Sequence, residues 1–518
     1  MNILIYSPYP LDNNSMPVLL DEAMEYLQEP SNQVLFVTCS GEIKPCDSNA
    51  EQSAIRCAEC MFSANLLVGK IDHPNFKHKK LSSFLSAEAV RRVDALRFDY
   101  DSIAEVKTIC HQEANIGLGV VSSYVSMTRN LEPEFNQENS MFFDDALRAS
   151  ARLVEATIGM LEDFSPDQVC IFNGRFSGIR PVMEVSQARG ISTVVLECTF
   201  ASDREKQHKV KFFDALPHDI DNGTKIIENN WSEWNEKEDK NTVAKSFFER
   251  RRKAEMASDT VYTAGQKENE LPENWDPDKR NFVIFNSSED EFFCVGESFD
   301  KYKLFENQIE GIRYLLAKAA QDPSIHFYLR IHPNLQHIKF HYHTGLASIF
   351  SEFDNITVIL ASSSVSTYAL IDSCEKVFVF GSTTGVEAAY WGKPVVLLGG
   401  SFYIHLDVAY YPRTLSELDS ALFATLSPGL RQGALKYALY IFGKRGIPPK
   451  YVDFDFKMLH FGGKTLSVPR CYSYRGSLLP YVAVLVFFRT LNLAQHLIFK
   501  KITFPKFLVE KKYIKQDF

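Results

Sequence analysis

At 518 residues the chain exceeds what one hydrophobic core supports, because single cores stop growing near about 250 to 300 residues, so two domains are expected. A composition 45% hydrophobic and 23% charged, with 40 Phe and 22 Tyr, excludes a disordered chain. The formal net charge of −9 and a pI near 5.9 exclude a general nucleic-acid binder, whose basic face would move the whole balance.

The opening residues, MNILIYSPYP, lack the basic start and the apolar run of about 7 to 15 residues that a secretory signal needs. A cytoplasmic location is therefore expected, with the ten cysteines held as thiols. Short runs rich in Val, Ile and Phe then alternate with longer helical patterns, as in a parallel sheet wrapped by crossover helices. In the first half the expected strands are 2–6, 33–38, 168–173 and 192–196. A second set follows at 281–286, 325–331, 355–360, 376–380 and 394–398. The pattern predicts a Rossmann-like domain over 1–215, a polar connection over 216–275 and a second Rossmann-like domain over 276–425. Helices are expected over 426–475, followed by a basic and apolar tail over 476–518. Two doubly wound sheets would bind ligand at the carboxyl ends of their strands.

The residues with chemistry fall at those ends. KVFVFGSTTGVEAAYWGKPVVLL runs from a buried strand into Ser382, Thr383, Thr384 and Gly385, opens a helix with Glu387, and turns at Gly392-Lys393-Pro394. Unpaired backbone N–H groups in such a turn suit a phosphate, with Ser382 and Thr383 as hydroxyl donors and Glu387 as an acceptor for ribose hydroxyls. A well-capped helix without a ligand is the alternative. FYLRIHPN ends a strand in Arg330 and His332, suited to charge that grows on a departing phosphate. Asn286, Ser287 and Ser288 close another strand with a polar turn. SSSVSTYALID begins a further helix with a run of capping residues, beneath the donor.

These four pieces, in this order over about residues 281 to 400, resemble the capsule polysaccharide biosynthesis family, which includes bacterial Kdo transferases. The shared pattern is a Ser-Ser turn, Arg-x-His-Pro, Ser-x-x-x-Tyr-x-Leu, and Ser-Thr-x-Gly-x-Glu-Ala followed by Gly-x-Pro. The resemblance implies a GT-B glycosyltransferase: α/β, two Rossmann-like domains facing a central cleft, and C-terminal helices. The implied partners are a nucleotide-sugar donor and a glycan or glycolipid acceptor, with no nucleic acid, cofactor or metal. The His-Pro and Ser-Thr pairs are also similar to bacterial sialyltransferases and to CDP-glycerol phosphotransferases, which favours a CMP-linked donor.

IFNGRFSGIR resembles the family's acceptor-domain element and assigns Asn173 and Arg175 to the acceptor, with a structural role for the turn equally open. An inverting transfer needs a general base. Glu197, after the strand STVVL, is the first candidate, with Asp12 in reserve on the acceptor side; capping a helix or pairing with an arginine is the plainer role for Glu197. Cys39, Cys46, Cys57 and Cys60 fit either a structural zinc or small buried thiols, since the spacing of the first two exceeds a usual knuckle. In the tail, LLPYVAVLVFF is too short to span a bilayer. Basic residues from Arg489 to Lys515 outnumber Glu510 and Asp517, which suits either peripheral contact with the inner face of the membrane or a helix packed back on the first domain. Three other functions stand against the glycosyltransferase: a CDP-polyol phosphotransferase of teichoic-acid type, a nucleotide-sugar epimerase, and a non-catalytic capsule-assembly scaffold.

Overall fold

The computed structural model describes residues 1–9, 15–50, 52–69, 71–200, 207–257, 261–443, 446–452, 458–461 and 464–467. The chain forms two compact units. The first is built on Met1–Thr199 and Lys206–Pro217, and the chain returns to it at Gly446; the second is built on His218–Arg445. Both are α/β, each around a doubly wound sheet.

The first sheet consists of β1 (Asn2–Ser7), β2 (Gln33–Thr38), β3 (Phe76–Lys80), β4 (Gln168–Phe172), β5 (Ser192–Phe200) and β6 (Gln207–Phe213), in the order β3-β2-β1-β4-β5-β6. The first five run parallel. Their central members are apolar along their length because helices cover both faces. Helix α1 (Ser15–Tyr26) lies against β1. Met16 and Leu19 join Ile3, Ile5, Phe36, Cys170 and Leu196 in one core, which Val452 also enters from the returning chain.

The first unit encloses a charged cluster. Lys209 of β6 has no exposed surface, and its Nζ lies 2.7 Å from Asp21, 3.0 Å from Glu22 and 2.8 Å from Glu25 of α1. Asp21 is itself buried, and its other oxygen accepts the backbone N–H groups of Lys450 at 2.8 Å and Tyr451 at 2.7 Å. A buried carboxylate tolerates low dielectric only when its acceptor capacity is filled in this way.

The second sheet is wholly parallel: β7 (Arg280–Phe285), β8 (Ile325–Arg330), β9 (Ile356–Ile359), β10 (Lys376–Val379) and β11 (Val395–Leu397), in the order β9-β8-β7-β10-β11. The strand order reverses between β7 and β10, the position where open α/β sheets bind ligands. The stretch 216–275 holds α2 (Ile220–Ser232) and α3 (Lys240–Arg252), and from His218 onward it lies within the second unit. Farther on come α4 (Thr367–Ser373), α5 (Thr384–Tyr390), α6 (Leu415–Phe423) and α7 (Arg431–Phe442). Over 426–475 the described residues contain one helix, α7, and an antiparallel pair, Met458–Phe461 with Lys464–Ser467. Among the described residues no helix is long and apolar enough to cross a membrane. The tail 476–518 lies outside the described residues.

Candidate functional site

The carboxyl ends of β7, β8 and β10 and the starts of α4 and α5 surround a cavity of about 370 Å³, lined by Asn286, Arg330, His332, Tyr368, Ser382, Thr383, Thr384 and Glu387 among others. This lies within the roughly 300 to 1,000 Å³ that ligand pockets span. The motif residues of three strands, far apart in sequence, thus share one wall.

Arg330 is the chief electrostatic feature. It is 3% exposed, and among the described residues no carboxylate pairs with it. Its Nη1 donates to the Leu360 carbonyl at 2.9 Å and its Nη2 to the Ser363 carbonyl at 3.0 Å, while its Nε is buried without an acceptor. Burial pulls its pKa down to about 10, so the guanidinium still carries its charge at neutral pH. A buried cation with no anion beside it costs free energy unless a ligand supplies one. The three glutamates of the same wall are committed elsewhere: Glu387 to Arg251 at 2.9 Å, Glu255 to Arg250 at 4.0 Å, and Glu291 to Asn334 at 2.7 Å.

His332 follows β8 by two residues. Its backbone N–H donates to Asn286 Oδ1 at 2.8 Å, which ties β8 to β7 at the switch point. Its Nδ1 accepts the Asn334 N–H at 3.2 Å, and that acceptance places the proton of the neutral ring on Nε2. The Tyr262 ring meets the imidazole edge-on at 5.0 Å. Ser288 turns away from this group, donating to Asp290 at 2.8 Å and accepting from Asn334 at 3.2 Å.

The Ser382–Glu387 segment differs in detail from the sequence expectation. Helix α5 has only seven residues, so its dipole is modest. Its first N–H groups are taken: Thr384 N–H donates to Ser382 Oγ at 3.3 Å and Gly385 N–H to the Ser382 carbonyl at 3.1 Å. Among the described residues the N–H groups of Ser382 and Thr383, one step earlier, have no acceptor, and neither has that of Val386. Gly381 makes this turn with φ of +95°, and a Cβ there would stand 2.6 Å from the Gly400 carbonyl oxygen. Gly385 serves packing, since a Cβ would meet the Tyr403 hydroxyl at 2.5 Å; that hydroxyl donates to the Ser382 carbonyl at 2.6 Å.

Glu387 is 3% exposed. Besides Arg251 it accepts from the Tyr368 hydroxyl, whose pKa burial and then Glu387 hold far above the usual range. Arg251 of α3 and Tyr368 of α4 are functional neighbours that the sequence reading did not single out. Arg251 sits 136 positions from Glu387 within a run of three arginines, and its only signal was that run. Tyr368 stood inside a quoted motif without a role.

In the first unit, Asn173 adopts a left-handed φ of +65° after β4. Its Nδ2 donates to Glu197 Oε1 of β5 at 2.5 Å, and its Oδ1 accepts the Arg175 N–H at 3.1 Å. The Arg175 guanidinium lies 4.9 Å from the Phe176 ring centre. The expected acceptor residues Asn173, Arg175 and Glu197 are therefore neighbours, and Glu197 is half-buried beside an amide. Asp12 lies outside the described residues. Cys39, Cys46, Cys57 and Cys60 form no disulfide; burial pushes Cys39 up to about 11. Among the described residues no three Cys, His, Asp or Glu side chains are grouped to hold a metal.

Residues 300–410 match the family described as Capsule polysaccharide biosynthesis protein. No curated protein matches the chain. Among solved structures, the beta Kdo 2,4 transferase KpsC of Thermosulfurimonas dismutans is similar at 14% identity and a TM-score of 0.32, covering 52% of this chain and 78% of its own. The beta Kdo 2,7 transferase KpsC of the same organism is similar at 16% and 0.31, covering 61% and 86%. A UDP-GlcNAc 2-epimerase from Neisseria meningitidis, bound to UDP-GlcNAc, is similar at 10% and 0.20, covering 85% and 91%. The match to that family over residues 300–410 takes in Arg330, His332, Tyr368, Ser382 and Glu387, so over this stretch the chain is similar to capsule polysaccharide biosynthesis proteins.

Proposed function

We propose that the chain is a glycosyltransferase of surface-polysaccharide synthesis, taking a nucleotide-sugar donor in the second-unit cavity and passing the sugar to a glycan or glycolipid acceptor. The observation that carries this reading is Arg330: a charged guanidinium, buried in a cavity wall, with no carboxylate paired to it among the described residues. One such cation matches the single negative charge of a nucleoside monophosphate ester, which favours a CMP-linked donor over a diphosphate. Ser382 and Thr383 would offer N–H groups to the phosphate oxygens, and Nε2–H of His332 a further donor. Each oxygen of Glu387 retains a lone pair for a ribose hydroxyl.

In the transfer, the acceptor hydroxyl oxygen bonds to the anomeric carbon, the bond from that carbon to the phosphate oxygen breaks, and CMP leaves with one more negative charge. Arg330 and His332 would stabilise that added charge, which raises the rate because the interaction strengthens toward the transition state. We assign the acceptor proton to Glu197, with Asn173 orienting its carboxylate and Arg175 contributing to acceptor binding. Since a protein cation would meet the phosphate, no divalent ion is required.

A thermal-shift panel of CMP, CDP, UDP and GDP, with and without EDTA, tests this. CMP should give the largest rise, unchanged by EDTA. In Arg330→Met, CMP should bind about 10- to 100-fold more weakly, as expected for a charged hydrogen bond worth roughly 1.5 to 3 kcal/mol. An unaltered CMP response in that variant sinks the reading.

A further inference from the structure

A second cavity, of about 350 Å³, lies in the same unit, where the segments ahead of two helices come together beside the edge strand β11. Its wall combines Lys301, Tyr302 and Lys303 with His405, Tyr411 and Arg413. The edge position follows from the backbone: Tyr410 exchanges N–H and carbonyl bonds of 2.8 Å with Val395 and Leu397 of β11 and so carries Tyr411 and Arg413 alongside the sheet. No residue of this wall belongs to the donor cavity.

The chemistry of the wall is specific. Asp221 pairs with Lys301 at 2.6 Å and also accepts from the Tyr302 hydroxyl, and Asp300 pairs with Lys303 at 2.5 Å. These two carboxylates are spent on holding the wall together. Tyr411 donates to the Tyr302 carbonyl at 3.2 Å and meets the Tyr302 ring at 6.2 Å, so two aromatic rings are fixed side by side. Arg413 lies 5.8 Å from the Tyr411 ring centre, and among the described residues no carboxylate pairs with its guanidinium. Glu417 accepts the Arg413 backbone N–H at 2.7 Å, so the wall is balanced in formal charge, and what it offers a ligand is the Arg413 guanidinium beside the Tyr411 ring.

We propose that this cavity binds a carboxylated oligosaccharide, with Arg413 taking the sugar carboxylate through its paired N–H groups and Tyr411 stacking against the ring. Arginine matches the planar carboxylate at two points, which a lysine cannot do. The aromatic face meets the C–H surface of a pyranose, which excludes water around the ion pair. The carbohydrate part of the assignment rests on the transferase reading, whereas the anion part rests on the wall alone. The subsite would hold a stretch of acidic glycan on the enzyme through successive transfers.

The experiment is direct binding of an oligogalacturonate to the full-length chain in the absence of nucleotide. A neutral cello-oligosaccharide of equal length and inorganic phosphate serve as the other arms. Oligogalacturonate should bind, the neutral sugar and phosphate should not compete at equal concentration, and Arg413→Ala should weaken binding at least about tenfold. Arg413→Ala should keep its CMP response, and Arg330→Met should keep its glycan binding. Equal binding of the neutral sugar, full competition by phosphate, or an unchanged Arg413→Ala overturns the proposal. Glycan binding without any nucleotide response would instead sink the donor assignment and leave this subsite standing.

Discussion

Two kinds of residue build the cavity of the second unit, and only one was legible in the sequence. Arg330, His332 and Ser382 were found because each follows an apolar run, and a strand's last residues project where ligands bind. Arg251 and Tyr368 were not, because their relation to Glu387 exists only after three elements pack. The N–H groups proposed for the phosphate also differ from the expectation: a glycine and hydroxyl run followed by a helix suggests the helix's own first turn, yet Ser382 folds back and occupies it. Gly381 sets that geometry. Gly381→Ala should destabilise the second unit by at least about 2 kcal/mol, through left-handed strain plus the 2.6 Å approach to Gly400. Denaturant midpoints measure it, and an unshifted midpoint means the turn relaxes freely.

At the level of elements, all five strands of the second sheet were legible, since each is mostly apolar and all but the edge strand β9 are largely buried. In the first sheet the strands missed were β3 and β6, which are its two edges. The lysines of β3, in FKHKK, keep that edge from pairing with another chain, whereas Lys209 and Lys211 of β6, in QHKVKFF, pair with the carboxylates of α1; in both strands the charges hide the pattern. On β3, burial and then Lys80 hold His78 down to about 4, while it bonds Thr38 at 2.9 Å. The folded state therefore refuses a proton that the unfolded chain accepts below its ordinary pKa near 6.5. Stability should fall as pH drops from about 6.5 to 4, and urea midpoints of His78→Gln should lack that part of the slope. In the second sheet, Lys376 of β10 is fully buried and donates to the carbonyls of Ala421, Leu422 and Ala424 at the end of α6, at 2.8 to 2.9 Å. Burial lowers its pKa to about 8. Lys376→Met strands three acceptors at the negative end of a helix, and a loss of about 1 to 3 kcal/mol is expected in denaturant titration.

For the whole molecule, length alone predicted more than one core, and two compact units are found. The boundary did not follow composition, because a polar, charged stretch reads as a linker even when its helices pack. Here α2 and α3 carry buried Ile220, Ile227, Phe247 and Phe248, a thin apolar stripe among many Glu, Lys and Asn. With separate cores, the chain should show two calorimetric transitions. Under the donor assignment, CMP at about 100 times its Kd should stabilise one of them by roughly 2.7 kcal/mol, and assignment by hydrogen exchange should place that transition in residues 218–443. Equal shifts of both would mean that the units unfold together.

The bonds from Lys450 and Tyr451 to Asp21 also set an order in time. A ribosome delivers β1 to β6 first, yet the enclosed carboxylate among them stays short of two partners until residue 451 has emerged. By then His218–Arg445 has been translated in full. The first unit, though translated ahead of the second, is the later to be closed, and a nascent chain halted before residue 450 would carry a finished second unit behind an open first one.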